Sequence, residues 1–367
     1  MSAMDVRLFL CGDVMPGRGV DQILPHPGDP ELRERGLLDA RDYVAAAESR
    51  NGPITRPVEF AWPWGEALRV LDAARPDARV INLESSITRC DHFAPGKGVH
   101  YRMSPDNVRT LTAGRPDVCC LANNHVLDFG RRGLADTLDA LAGAGLRWVG
   151  AGRDAAEAAR PVVVGAGARI AVFAWGAASS GIPRGWAAEP DRSGVNFLPD
   201  LSDRTADDVL DAVHAHTAPG DVVVVSLHWG TNWCYEVDAD QVRFAHRLVD
   251  GGVDVVHGHS SHHPRPVEIH RDRLVLYGCG DFIDDYEGIR GYEEFRDDLR
   301  LLFLATLRAD GALRELRMVP VQARRMRLAP ASDADTRWLH DTLSRISAPF
   351  RTEVALDDGT LSIGHRT

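Results

Sequence analysis

The sequence predicts an α/β fold, two mixed sheets flanked by helices, and three observations carry that expectation. Short, continuously apolar runs rich in Val, Leu and Ile alternate with helical patterns through most of the 367 residues. Such runs read as strands buried on both faces, and their alternation with helices implies βαβ units and a largely parallel sheet. Farther along, apolar segments separated by tight turns read as antiparallel hairpins, so two sheets should pack face to face with helices outside.

Taken in order, the run VRLFLCG ends at Asp13, ARVINL at Glu84, DVCCLA at Asn123, Asn124 and His125, DVVVVSL at His228, and VDVV in a histidine cluster. Helical spacing of apolar residues covers 64–74, 105–113, 131–144, 202–216 and 239–250. Two hairpins follow, RPVEIH with LVLYG and LRLLFLATL with LRELRMVPV. The stretch 19–61, with several prolines around a short helical piece, reads as an insertion or lid. One domain is expected over 1–330, then a C-terminal helix and tail over 331–367.

A net charge of −11 argues against a nucleic-acid partner or an anionic membrane surface, both of which reward an excess of Lys and Arg. No leader-like segment and no run of ~18 apolar residues is present, so a cytoplasmic protein without a membrane span is expected. The six cysteines show no CxxC spacing and read as reduced, buried thiols. Lys97 is the only lysine and, in PGKGVHY, reads as a solvated loop residue.

The strand ends carry the chemistry, because ligands in such sheets gather where loops and helix N-termini converge. Asp13 alone would be a turn or capping residue; as one of five strand ends it reads as a metal carboxylate. Glu84 is a carboxylate suited to bridging two divalent ions. In LANNHVLDFG the Asn124 amide oxygen is a hard neutral ligand, and His125 is placed to protonate a leaving group, whereas Asn123 and Asp128 read as caps of the following helix. His228 ends a run of valines, with Trp229 and Trp233 expected to wall the pocket. In HGHSSHH, a tight turn can bring His259 and His262 to one ion. His257 is expected to face into the sheet or to its opposite side, and His263 to point away from His262, both as supports.

With FLCGDVMPGR, INLESSIT, LANNHVLDFG, VSLHWG, HGHSSHHPRPVE and YGCGDF in place, the chain resembles the capsule-biosynthesis protein A (CapA, poly-γ-glutamate synthesis) family of the calcineurin-like metallophosphoesterase superfamily, over roughly residues 6–308. The resemblance implies a four-layer α/β/β/α sandwich, Asp13, Glu84, Asn124, His228, His259 and His262 as metal ligands, and His125 as catalytic acid. Three departures stand out. Met15 occupies the position of a usual ligand histidine, the last histidine pair is spaced one residue wider than usual, and YGCGDF brings Asp281, a catalytic candidate, and Cys279 near the site. Such a donor set suits one or two Mn²⁺, Fe or Zn²⁺ ions better than Mg²⁺, which prefers oxygen alone. Arg18, just after the first motif, reads equally as a clamp for a phosphate or carboxylate and as a salt-bridge residue. The implied activity is metal-assisted hydrolysis of a phosphoester or a γ-glutamyl or related amide; the alternatives are an accessory factor beside an amide ligase, or an amide-forming or cyclising enzyme.

Overall fold

A computed structural model describes residues 5–165 and 167–364, so the first four residues and the last three of the expected tail lie outside the described chain. In chain order the strands used below are β1 (Val6–Val14), β2 (Ala78–Leu83), β3 (Val118–Cys120), β4 (Trp148–Val149), β5 (Val162–Val164), β6 (Ile170–Ala177), β7 (Val222–His228), β8 (Val255–His259), β9 (Val267–His270), β10 (Arg273–Leu276), β11 (Asp281–Ile283), β12 (Leu299–Leu307), β13 (Leu313–Ala323), β14 (Ala355–Asp357) and β15 (Thr360–Gly364). The helices used below are α1 (Arg18–Ile23), α2 (Arg41–Asn51), α3 (Glu66–Ala74), α4 (Arg109–Gly114), α5 (Gly130–Gly143), α6 (Asp203–His214), α7 (Ala239–Asp250) and α8 (Asp333–Ser347).

Two mixed sheets result. The first runs β14-β15-β13-β12-β1-β2-β3-β4, with β11 also paired to β1; the second runs β5-β6-β7-β8-β10-β9. Residue alternation assigns each strand two faces. Leu8 and Leu10 of β1 meet Val222 and Val224 of β7 in a layer between the sheets, while Phe9 and Cys11 turn outward to α2, α3 and α5. Val223 and Val225 turn the other way, against α6 and α7. Helix, sheet, sheet, helix is therefore the stacking order, as expected.

Segment 19–61 holds α1, α2 and a small hairpin, Glu31–Glu34 with Leu37–Asp39, and its Val20, Ile23, Tyr43 and Val44 join the outer core of the first sheet. The residues after α8 are more ordered than their weak pattern suggested: β15 pairs antiparallel with β13 and extends the first sheet. Among the described residues, no helix is long and apolar enough to cross a membrane.

One close approach sets the site. β1 pairs with β2 in register up to Leu10, then shifts so that Asp13 lies opposite Asn82, while β11 comes in on the other side with Asp281 opposite Asp13. Gly12 allows this, because a Cβ there would sit 1.7 Å from the Gly280 carbonyl oxygen. Any side chain at position 12 would push the two aspartates apart.

Candidate metal centre

The ends of β1, β2, β3, β7, β8 and β11 converge on one buried pocket of donors. Ligand atoms of Asp13, His228 and His259 lie within 4.8 Å of one another, and so do those of Asp13, His262 and Asp281. Asp13 is thus common to two three-donor clusters. Asn124 Oδ1 stands 3.0 Å from His228 Nε2, and Glu84 Oε1 lies 3.8 Å from the same nitrogen. All six ligands expected from the sequence are brought together, although the carboxylate common to both clusters is Asp13, with Glu84 on the His228 side. Met15 is fully buried, and Asp281 arrives on a separate strand to join Asp13 and His262.

Strand alternation explains the imidazoles. Ser226 and His228 of β7, and His257 and His259 of β8, all face the inter-sheet layer. His257 therefore shares a face with His259 and does not turn to the opposite side, because two residues apart on a strand means the same face. Its Nε2 donates to the Cys11 carbonyl at 2.8 Å, which ties β8 to β1. Ser226 Oγ lies 2.8 Å from His259 Nε2, leaving Nδ1 to face His228 Nδ1 at 2.7 Å. A ligand imidazole oriented through its second nitrogen in this way is a recurrent feature of metal sites. The turn from His259 to His262 places Ser260 at φ 99°, a conformation few non-glycine residues adopt. There His262 Nδ1 meets Asp281 Oδ1 at 2.8 Å and Nε2 meets Asn232 Nδ2 at 2.9 Å. His263 does point away: it accepts the Cys234 amide through Nε2 and stacks on Phe295.

Carboxylates crowd the other side. The Asn82 amide donates to Asp13 Oδ1 at 2.8 Å and to Glu84 Oε2 at 3.1 Å, clamping two acids together. Burial, then the neighbouring Asp281 charge, pushes Asp13 up to about 7, and burial with the Asp13 charge pushes Glu84 upward. His228 and His259 are pushed down by burial first and by neighbouring imidazoles second. Burial alone would lower His262 too, but the Asp281 carboxylate outweighs it and the net shift is upward. Asp13 Oδ2 and Asp281 Oδ2 are buried with no hydrogen-bond partner. An orphaned buried carboxylate oxygen carries a desolvation cost that a cation removes. Two such atoms, in a nest of three acids and three imidazoles, fit a divalent metal.

His125 sits at the rim of this nest, its Nε2 3.7 Å from Glu84 Oε1. Its Nδ1 donates to Asp128 Oδ2 at 2.6 Å, and the Asp128 carboxylate also takes the Tyr101 amide at 2.7 Å and Lys97 Nζ at 2.5 Å. Asp128 thus holds the histidine; α5 begins at Gly130 with no side-chain cap at all. Asn123 does hold the local turn, accepting the amides of His125 and Val126. Burial pushes His125 down to about 4, the Asp128 charge opposing, so the ring is neutral with Nε2 bare.

Several expectations change here. Lys97 is no solvated loop residue: its side chain is 15% exposed and its ammonium bridges Asp128 and the Asn124 carbonyl beside His125. Being the chain's one lysine, in a Gly-Lys-Gly setting, was its only signal in sequence. Arg18 is buried and engaged elsewhere, four of its five N–H donors bound to Asp285, Glu34 and Tyr43 and its guanidinium 4.2 Å from the Tyr101 ring, which favours the salt-bridge reading over a substrate clamp. Asp281, a catalytic candidate from the sequence, contacts His262 and joins the Asp13 cluster, where it is also a candidate metal ligand. Trp229 belongs to the outer core, stacked on Tyr277, whereas Trp233 does stand beside the site, 5.1 Å from the His262 ring. Asn82, Ser226 and Asn232 went unnoticed in the sequence; only strand periodicity, which pairs Asn82 with Glu84 and Ser226 with His228, could have flagged the first two.

A family model described as "Bacterial capsule synthesis protein PGA_cap" matches residues 7–286. The chain is 56% identical over 353 residues, 95% of itself and 93% of the relative, to a Mycobacterium tuberculosis protein named "Probable polyglutamine synthesis accessory protein". It is 26% identical over 296 residues, 78% of itself and 64% of the relative, to the "PGA biosynthesis protein CapA" of Bacillus subtilis. With the "Capsule biosynthesis protein CapA" of Bacillus anthracis it shares 26% identity over 281 residues, 76% of itself and 60% of the relative.

Proposed function

The chain belongs to the bacterial capsule synthesis protein family, and we propose that it serves the making of a glutamate- or glutamine-containing polymer as a metal-dependent hydrolase of a phosphoester or γ-glutamyl amide bond. The observation that supports this reading best is the pair of donor clusters sharing Asp13, with two buried carboxylate oxygens that lack a hydrogen-bond partner and a held histidine at the rim. A divalent cation in that nest supplies Lewis acidity to a phosphoryl or carbonyl oxygen. The chain's own residues do the rest. Neutral His125 offers a bare Nε2 that takes the proton released as water attacks and returns it to the leaving oxygen or nitrogen. Asp128 fixes the tautomer by accepting Nδ1–H, and Lys97 pins Asp128 and the Asn124 carbonyl, which keeps that residue's side chain against His228. Trp233, stacked on Tyr292, forms an aromatic wall next to His262.

The test is turnover by protein loaded with Mn²⁺, Zn²⁺ or Fe²⁺ on p-nitrophenyl phosphate, bis-p-nitrophenyl phosphate and γ-glutamyl-p-nitroanilide. Metal-dependent release from at least one is expected, with His125→Gln lowering kcat by about 10²–10⁴ while metal stays bound. No release from any of them by metal-loaded protein sinks the hydrolase. A second reading would then take over, a non-hydrolytic accessory factor acting beside an amide ligase; what favours it is the accessory name carried by the 56% identical relative.

A further inference from the structure

We propose a second, separate metal site, a zinc-type centre formed by His246, Glu268, His270 and Asp250 on the outer face of the second sheet. His246 and Asp250 are four residues apart on α7 and so share one face of that helix. Glu268 and His270 are two apart on β9 and share one face of that strand. The two pairs meet. His246 Nε2 is 2.9 Å from Glu268 Oε1, His270 Nε2 is 2.9 Å from Asp250 Oδ1, and the two imidazoles stack with centroids 3.8 Å apart. One donor atom each from His246, Glu268 and His270 falls within 4.8 Å of the others. Tetrahedral zinc with bonds of ~2.0–2.1 Å holds its donors about 3.4 Å apart, so side-chain rotation brings this set to closure.

Two features point to a cation rather than to an ordinary surface cluster. Glu268 is buried, 7% exposed, and among the described residues its ion-pair partner is His246 alone, with no Lys or Arg on it. Its second oxygen accepts the Tyr277 hydroxyl at 2.7 Å, the outer hydrogen bond that ligating carboxylates in metal sites carry. Asp250 is the more exposed fourth donor, shared with Arg271 Nε at 3.1 Å. Access is open, since the His246 and Asp250 side chains are 32% and 39% exposed. Two imidazoles with carboxylates select Zn²⁺ or a similar transition ion over Mg²⁺ or Ca²⁺.

The position is independent of the strand-end nest. Glu268 is in register with Val275, and Val275 with Val256, three residues before His259. Val256 and Val275 pack outward against α7, whereas His259 faces the inter-sheet layer. The two sites thus lie on opposite faces of one sheet, and the second one staples edge strand β9 to α7.

Zn²⁺ titration of chelator-treated full-length protein, read as equivalents bound, tests this. An Asp13→Asn/His228→Gln variant, with the strand-end nest disabled, is expected to keep one equivalent and to show a rise in Tm on adding Zn²⁺. A His246→Gln/His270→Gln variant should bind one equivalent fewer than wild type. Equal zinc content in wild type and the His246→Gln/His270→Gln variant overturns the proposal. If that variant fails to fold, the other decides: Co²⁺ bound to Asp13→Asn/His228→Gln with a visible d–d spectrum supports the site, and no bound Co²⁺ overturns it.

Discussion

The two sheets contribute unlike halves of the strand-end site. The first sheet supplies oxygen: Asp13, Glu84, Asn124 and Asp281 all sit at or just beyond strands of that sheet, and Asn82 clamps two of them. The second supplies nitrogen: His228, His259 and His262 come from β7, β8 and the turn after β8. Each half is strained by itself, one by clustered buried acids and the other by imidazoles held neutral in an apolar layer. Facing one another across the inter-sheet core they become complementary, and a cation between them satisfies both. A metal centre at the seam of two sheets therefore reports on their docking as directly as on chemistry.

The sharpest way to break this comparison is to remove the shared acid. Asp13→Ala should abolish metal binding at both clusters, whereas His262→Ala should cost the Asp281 cluster alone and leave one ion with His228 and His259. Metal counting on the strand-end site, with zinc at the α7 cluster subtracted, distinguishes these; equal losses for the two variants would mean that Asp13 is not shared.

Next in size is Arg18, which lies on the oxygen side yet serves packing. Replacing it with Met leaves Asp285 and Glu34 buried without a cationic partner, and breaking a buried pair in that way costs about 3–5 kcal/mol. Urea unfolding should show that loss, with strand-end metal content unchanged in protein that remains folded. Loss of metal at full stability would instead restore Arg18 to the site.

The smallest effect separates the halves by pH. Burial holds His257 and His263 down to about 4, against an ordinary value of 6.5. Between those values the unfolded chain binds protons that the folded chain refuses, so the stability they contribute is present above 6.5 and drains away as pH falls toward 4. At pH 5 each should cost about 2 kcal/mol. In metal-free protein, His263→Gln should flatten the loss of stability between pH 7 and pH 5 by roughly that amount; an unchanged slope refutes the assignment.

How much of this was legible beforehand follows from the kind of signal. α7 was bounded residue for residue at 239–250, because its apolar spacing and flanking glycines are local. The hairpins of β9 with β10 and β12 with β13 were legible for the same reason. The strand β15 was not, since its two buried residues alternate with polar ones beside a short exposed partner, and its pairing with β13 is a long-range event. Within the site, residues at or just beyond strand ends were visible, while Lys97, on a loop far along the chain from any of those ends, was misread. Lys97 carries no periodicity, and nothing local says that its loop folds back to Asp128.

Sequence alone determined which residue types stand at the strand ends, because strand termination is a property of a few consecutive residues. Tertiary structure alone decided that Asp13 joins two clusters, that Asp281 meets Asp13 and His262, that Arg18 is spent on Asp285 and Glu34, and that Lys97 holds Asp128. Each of those facts depends on a contact between distant segments, fixed by the register at Gly12 and by how closely two sheets approach across a shared core.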